Sequence, residues 1–459
     1  MLIIGQDKPR SLRRQLLTFL LLSIALLSIL SSVIGTWIGS SQSRTMLVNS
    51  SLQIAGNLAE RSVLSLITAS EDNAEEATAQ VLGFNDVVGV AILTNELSPL
   101  LRKGELELPT PPPEHWKAVM GPQLIDGALQ FADLRSIDQF PVGKQVRQSP
   151  GNYCSHDTGA DRFFDIVNGP QALKPLLFVP RETLWRSVQL DDGSLAFYPP
   201  EHDFKPLALI GVRSCDLAAL QLQDQHFLQG DQPDPAYKAR RRGLLLIAVN
   251  CAQPADTCFC VSTGDGPFAE QGYDLCLTEL DDGFLVQVGS VRGEQLYEQL
   301  PLRPASDEML KTKESQHKAA VESQQRKLPS ITPTDLQKRS NHPHWAEIGD
   351  YCLACGNCTM VCPTCFCHHE QPLATLQQGL SETRREWDSC FSEQHGYLAG
   401  HQVRPDITSR YRQWVTHKLD SWQTQYGRSG CVGCGRCISW CPVGIDLVAE
   451  ANRLMEDPE

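Results

Sequence analysis

Cys352-Leu-Ala-Cys355-Gly-Asn-Cys358-Thr-Met-Val-Cys362-Pro363 and Cys431-Val-Gly-Cys434-Gly-Arg-Cys437-Ile-Ser-Trp-Cys441-Pro442 repeat one pattern, C-x2-C-G-x-C-x3-C-P. A [4Fe–4S] cube offers four iron corners, each taking one thiolate. Two-residue spacers let one tight loop set three sulfurs around a cube, and Gly356 and Gly435 relieve the backbone where it turns. The fourth cysteine lies beyond that loop, where the following proline interrupts regular hydrogen bonding. In two-cluster ferredoxins that cysteine crosses to the other cube. By analogy, Cys352, Cys355, Cys358 and Cys441 hold one cluster, and Cys431, Cys434, Cys437 and Cys362 hold the second. Four-cysteine zinc sites share the C-x2-C spacing, but the doubled eight-cysteine pattern with both prolines favours clusters.

The two halves are separated by the 68 residues from Pro363 to Gly430. This is longer than in a minimal ferredoxin, so residues 345–459 are expected to form a mainly α-helical, ferredoxin-like dicluster domain. Inside the insert, Cys365, Cys367 and Cys390 read as packing thiols near the clusters, and His368 and His369 as a solvated turn. Arg404, Arg410, Arg412 and Lys418 are positive charges that face the thiolates, a partner or solvent.

Composition agrees with this chemistry. The chain has 459 residues, with 40 Lys+Arg against 54 Asp+Glu and a net charge of −14, a balance that excludes nucleic acid as the main partner. Its 41% hydrophobic and 20% charged residues describe neither a disordered polymer nor a polytopic membrane protein. There are 17 cysteines, an odd number. A long chain with thiols clustered in its tail points to metal or iron–sulfur ligation in a reducing compartment, not to a disulfide scaffold.

Upstream, the apolar runs ending at Val212 and Val249 read as buried strands, with a helix starting at Ser214 between them. Strand, helix, strand is a βαβ unit, so residues 116–306 are expected to form an α/β domain on a mixed or parallel sheet. Its strand ends carry Cys215, Cys251, Cys258 and Cys260, candidates for a third cluster or, alternatively, four buried thiols. Ser214 is expected to cap the helix, and a helix N-terminus lowers a thiol pKa at Cys215. Cys154 and Cys276 stand alone and read as structural.

At the other end, Leu16–Ile38 contains no charged residue and is long enough to cross a bilayer as a helix. Together with residues 45–107 it resembles the front of membrane-bound sensor proteins with a CHASE-type domain, although no second span follows. The Pro-rich stretch 108–115 and the Lys/Gln/Glu-rich stretch 307–344 read as linkers, and residues 1–44 as the anchor segment.

The strings GVRSCDLAAL (211–220), NCAQPADTCFCVSTGDGP (250–267), CLACGNCTMVCPTCFC (352–367), WDSC (387–390) and GCVGCGRCISWCPVGID (430–446) carry a family likeness. They resemble the iron–sulfur subunit family that includes the sulfhydrogenase (NiFe hydrogenase/sulfur reductase) β subunit, together with the iron–sulfur subunit of anaerobic sulfite reductase. The resemblance implies an electron-transfer subunit working between a flavin/NAD(P)H-binding subunit, on one side, and a catalytic reductase or hydrogenase subunit on the other. It supports two [4Fe–4S] clusters and, less directly, the third. A membrane-anchored redox sensor and a zinc-stabilised binding module are the alternatives. Because cubes are assembled in the cytosol, the cluster domains are expected in the cytoplasm, tethered to the inner membrane by the N-terminal helix.

Overall fold

The computed structural model describes residues 89–93, 99–104 and 118–456, apart from 168, 172, 191, 201–203, 205, 282 and 375–379. The chain divides into two compact units, Met1–Pro112 and Pro113–Glu459. In the first, β1 (Gly89–Leu93) pairs antiparallel with β2 (Pro99–Gly104). The expected membrane helix at Leu16–Ile38 and most of the sensor-like segment lie outside the described residues. Among the described residues no helix is long and apolar enough to cross a membrane. The longest, Asp307–Ser323, has 17 residues and is rich in Lys, Glu and Gln, whereas a span needs about 20 apolar ones. The expectation of a membrane-spanning fold is therefore corrected: what the structure holds is a mixed α/β protein.

The second unit contributes β3 (Ala118–Ile125), β4 (Ala128–Asp133), β5 (Lys144–Ser149), β6 (Asn152–Asp157), β7 (Arg181–Gln189) and β8 (Leu195–Tyr198). They are followed by β9 (Leu207–Val212), β10 (Leu244–Val249), β11 (Leu275–Leu280), β12 (Gly283–Val288), β13 (His368–Ala374) and β14 (Leu380–Trp387). Six of these form one sheet in the order β12-β11-β10-β9-β3-β4. Its central strands β11, β10, β9 and β3 run parallel, and β12 and β4 close the edges antiparallel. Strand β10, LLLIAV, is almost wholly buried, as expected of a parallel strand covered on both faces.

Between β9 and β10 lies α1 (Ser214–Leu228), buried along most of its length. One face packs on the sheet with Leu217, Leu220 and Phe227, and another meets the carboxy-terminal region through Cys215, Ala218 and Leu222. Arg213, not Ser214, occupies the N-cap position and makes no side-chain cap. Instead its guanidinium donates to the carbonyls of Asn250, Phe164 and Ile166.

The dicluster region holds more helix than strand, and its insert adds β13 and β14. These pair with each other and then, through β14, with β7 and β8, making a four-stranded antiparallel sheet in the order β13-β14-β7-β8. The α/β region and the cysteine-rich tail are thus stitched together inside one unit. The stretch 307–344, read as a linker, begins with the helix α2 (Asp307–Ser323), capped by the Ser306 hydroxyl, which accepts from the Met309 N–H. A core of Trp345, Ile348, Phe391, Tyr411, Trp414, Leu419 and Ile438 surrounds the cysteine loops.

Candidate metal centres

The two repeats fold alike. Each turns through two left-handed positions, Ala354 (φ 49°) and Gly356 (φ 73°) in the first, Gly433 (φ 63°) and Gly435 (φ 72°) in the second. The turn aims a backbone N–H at the first sulfur: Ala354 donates to Cys352 Sγ at 3.4 Å, and Gly433 to Cys431 Sγ at 3.4 Å. A single helical turn follows each, Asn357–Met360 and Arg436–Ser439.

Cys352, Cys355, Cys358 and Cys441 line one cavity, walled by Phe391, Tyr411, Trp414, Ile445 and Leu447. Cys437 borders the same cavity and also lies beside Cys431, Cys434, Cys362 and Cys358. Cys431 and Cys434 in turn neighbour Cys362. The eight sulfurs therefore form two groups, each drawing its fourth member from the other repeat, and the groups meet at Cys358 and Cys437. None of the eight is in a disulfide.

Burial raises Cys352, Cys358, Cys431, Cys434 and Cys437, pushing Cys358 and Cys437 far above the ordinary thiol value and Cys431 up to about 12. Cys362 is lowered instead. A hydrogen bond from the Cys365 thiol lowers it against the cost of burial, and the Lys418 ammonium lowers it further. Burial opposes the charge on Lys418, but Cys362, Cys365 and Cys431 outweigh that and hold its pKa above the usual lysine value. Lys418 donates to Thr364 Oγ1 at 2.7 Å and to the Gly430 carbonyl at 3.2 Å. It stands on a π-helical turn, His417–Ser421, a local widening often found at functional sites. Two of the other cations are placed differently: Arg410 donates to the Phe391, Arg404 and Pro405 carbonyls, and Arg412 to the Ser340 carbonyl.

A metal that binds such thiols releases their protons, so the donor set suits a thiophilic metal or cluster. Residues 351–445 match the family described as a 4Fe-4S dicluster domain. The sulfhydrogenase 2 subunit beta of Pyrococcus furiosus is 34% identical over 253 residues, which cover 54% of this chain and 74% of that relative. The chain belongs to the sulfhydrogenase β-subunit family. It is an iron–sulfur protein. The sulfite reductase and CHASE-type resemblances have no counterpart in these comparisons, and no solved structure matches the chain.

Family membership directs attention to the middle-domain cysteines. Cys215 and Cys260 share one buried cluster with Cys434, and Cys251 and Cys258 share another. Cys260 lies beside Cys251, Cys258 and Cys434, so all four thiols gather behind the second loop. The fit there is close: a Cβ on Gly433 would stand 2.5 Å from Cys260 Cα, and one on Gly435 would stand 2.4 Å from the Thr257 carbonyl. The expected low pKa of Cys215 is reversed. Burial, then the Asp216 carboxylate, raise it well above the ordinary thiol value, outweighing the helix terminus. Cys154 is exposed, and Cys276 is buried on β11 with Sγ 3.5 Å from Asn250 Oδ1.

Three features escape the sequence. Arg436 is 2% exposed and ion-paired with the equally buried Asp216 at 2.7 Å, a partnership across 220 residues with no local signature. Lys174 is buried against the insert, donating to the Thr359 carbonyl at 3.1 Å with its ammonium 4.0 Å from the Trp387 ring. Finally, Cys367, Cys390 and His395 come together. Their one sequence signal is Cys365-Phe-Cys367 directly after a cluster motif, with a histidine five residues beyond Cys390.

Proposed function

We propose that this chain is the electron-transfer subunit of a multi-subunit hydrogenase-type oxidoreductase, working between a flavin/NAD(P)H-binding subunit, on one side, and a catalytic hydrogenase subunit on the other. In this reading Cys352, Cys355, Cys358 and Cys441 hold one [4Fe–4S] cluster, and Cys431, Cys434, Cys437 and Cys362 hold the other. Bound clusters supply reversible one-electron chemistry. The observation that carries the reading is the pair of crossed thiol groups meeting at Cys358 and Cys437, within a stretch matched as a dicluster domain.

The chain's own residues prepare that chemistry. The Ala354 and Gly433 N–H groups stabilise sulfur in its charged form. The Phe391, Tyr411, Trp414 and Leu447 side chains give one cavity an apolar wall, and Lys418 places a positive charge beside Cys362 and Cys431. Both hydrogen bonding and solvent access tune a cluster's potential. Cys215, Cys251, Cys258 and Cys260 are proposed as the ligands of a third cluster, supported by their burial and convergence behind Cys434. The many cysteines outside any disulfide support a reducing compartment, and the cytoplasm is proposed for the cluster-bearing unit.

Iron and acid-labile sulfide counts on anaerobically purified protein test this. About 8 irons per chain mean two cubes and about 12 mean three. Cys355→Ser and Cys434→Ser are each expected to lose a cluster and block electron flow from a reduced flavoprotein. Normal iron content and electron flow in both variants would refute the assignment.

A further inference from the structure

Cys367 closes the loop that leaves the first cysteine repeat, just before β13. Cys390 and His395 follow β14, so both sides of this hairpin's base converge on one place. The backbone joins them there: His368 pairs with Trp387, and the Asp388 N–H donates to the Cys367 carbonyl at 2.9 Å. The side chains then meet. Cys367 Sγ and Cys390 Sγ are 3.4 Å apart, and with a His395 ring nitrogen all three donor atoms lie within 4.8 Å of one another. Cys390 is buried, while Cys367 and His395 are half-buried.

We infer that Cys367, Cys390 and His395 form a mononuclear zinc site, separate from the eight cluster cysteines, with Asp388 orienting the histidine. Two thiolates and an imidazole are a zinc donor set. Thiolates bound at about 2.3 Å to a tetrahedral ion stand about 3.8 Å apart, near the observed separation. A cube spreads its thiolates over separate iron corners and does not bring two of them to 3.4 Å. A disulfide demands about 2.05 Å between sulfurs, and both cysteines are free.

The surroundings of the histidine add an independent observation. His395 Nδ1 lies 3.0 Å from Asp388 Oδ2, while the same ring also reaches the Cys367 thiol. With Nδ1–H donated to the carboxylate, Nε2 is left with the lone pair and is the nitrogen assigned to the metal. This is the carboxylate–histidine–metal arrangement that fixes tautomer and ring angle at zinc sites. Asp388 is itself held, its Oδ1 accepting the Ser389 N–H at 2.7 Å. Cys365 is not counted in the set, because its thiol is hydrogen-bonded to Cys362. Three protein ligands leave a fourth coordination position for water or a partner's side chain. The ion would tie the base of the β13–β14 hairpin to the loop carrying Phe391, which packs in the core around the cysteine loops.

Metal analysis of the full chain, purified anaerobically without added zinc, tests the inference. About one zinc per chain is expected beside the iron. His395→Ala and Cys390→Ser are expected to drop zinc more than tenfold while iron stays unchanged. Asp388→Asn, which keeps the fold, is expected to weaken zinc 10–100-fold in competition with a chromophoric chelator. Cobalt replacing the zinc should give tetrahedral d–d bands and thiolate charge-transfer absorption. Three results would each overturn the site: full zinc retention in His395→Ala, a Cys367–Cys390 disulfide in the mass spectrum of the native chain, or loss of about four irons in Cys390→Ser.

Discussion

In the loop 352–358, Cys355 is exposed and Leu353 keeps 61% of its surface; in the loop 431–437, Cys431 and Cys434 are each 8% exposed. Their backbones match turn for turn, down to the 3.4 Å N–H to sulfur bond. What separates them is one position and its neighbours. After the shared glycine the outer loop has Asn357, whose amide donates to the Trp440 carbonyl at 2.8 Å. The inner loop has Arg436, sealed against Asp216 on α1 and donating to the Gly169 carbonyl. Ligand geometry is thus a local property of the repeat, whereas solvent access and charge come from the rest of the fold. Under the proposed function, the outer loop would exchange electrons with a partner and the inner loop would pass them through the protein.

The largest expected effect breaks the inner loop's anchor. Asp216→Ala leaves the Arg436 guanidinium buried without its partner and should cost about 3–5 kcal/mol. The matching outer change, Asn357→Ala, should cost under about 1 kcal/mol, since that amide is exposed. Anaerobic denaturant unfolding followed by circular dichroism compares the two, and equal losses would erase the distinction.

A gentler contrast uses the left-handed positions. Ala354 already accommodates a Cβ at φ 49°, so Ala354→Gly should be nearly silent. Gly433→Ala would drive a Cβ to 2.5 Å from the backbone of Cys260, costing about 2–4 kcal/mol in overpacking and strain. The same unfolding measurement applies, and a silent Gly433→Ala would show that the inner loop is loosely held.

Electrostatics sharpen the difference next. Lys418 faces Cys362 and Cys431, the inner group alone. Lys418→Met should lower that group's reduction potential by about 70–120 mV, the effect of one unit charge roughly 6–10 Å away at an effective dielectric near 20. The outer group should shift far less. Redox titration followed by electron paramagnetic resonance distinguishes them, and an equal shift in both would contradict this assignment of the charge.

The smallest effect concerns pH. His226 stacks on Phe366 at 3.6 Å, and its Nδ1 lies 2.8 Å from the Tyr426 hydroxyl. Burial, with smaller contributions from His368 and Arg385, depresses its pKa to about 4. The unfolded chain, titrating near 6.5, then binds a proton that the folded chain refuses. This contribution to stability is complete above about pH 6.5 and is lost as pH falls toward about 4. Allowing for partial exposure it amounts to about 1–2 kcal/mol. His226→Phe should flatten the dependence of the unfolding midpoint between about pH 7 and 5, and an unchanged slope would assign it to other groups.

Legibility in the sequence followed the range of the interactions. The cysteine repeats were readable because their chemistry is set within a dozen residues. The β9–α1–β10 unit was readable because its strands are continuous apolar runs. Strands β13 and β14, HHEQPLA and LSETRREW, were missed because they show no apolar alternation and owe their form to pairing with β7, far back in the chain. Helix α2 was missed because it buries little besides Ala320, so its good helix formers and Ser306 cap sit without an apolar stripe. Cys215 was misjudged because a helix-terminus argument is local, while its burial comes from packing against Val432, Cys434 and their loop.

In the proposed function, electron transfer depends on two cubes held close by crossed thiols. Electron paramagnetic resonance of the anaerobic, dithionite-reduced full chain tests this most directly. It should show a broad signal split by coupling between two neighbouring reduced clusters, collapsing to one simple spectrum in Cys434→Ser. A spectrum without coupling, or a colourless chain holding zinc at all eight cysteines, would contradict it.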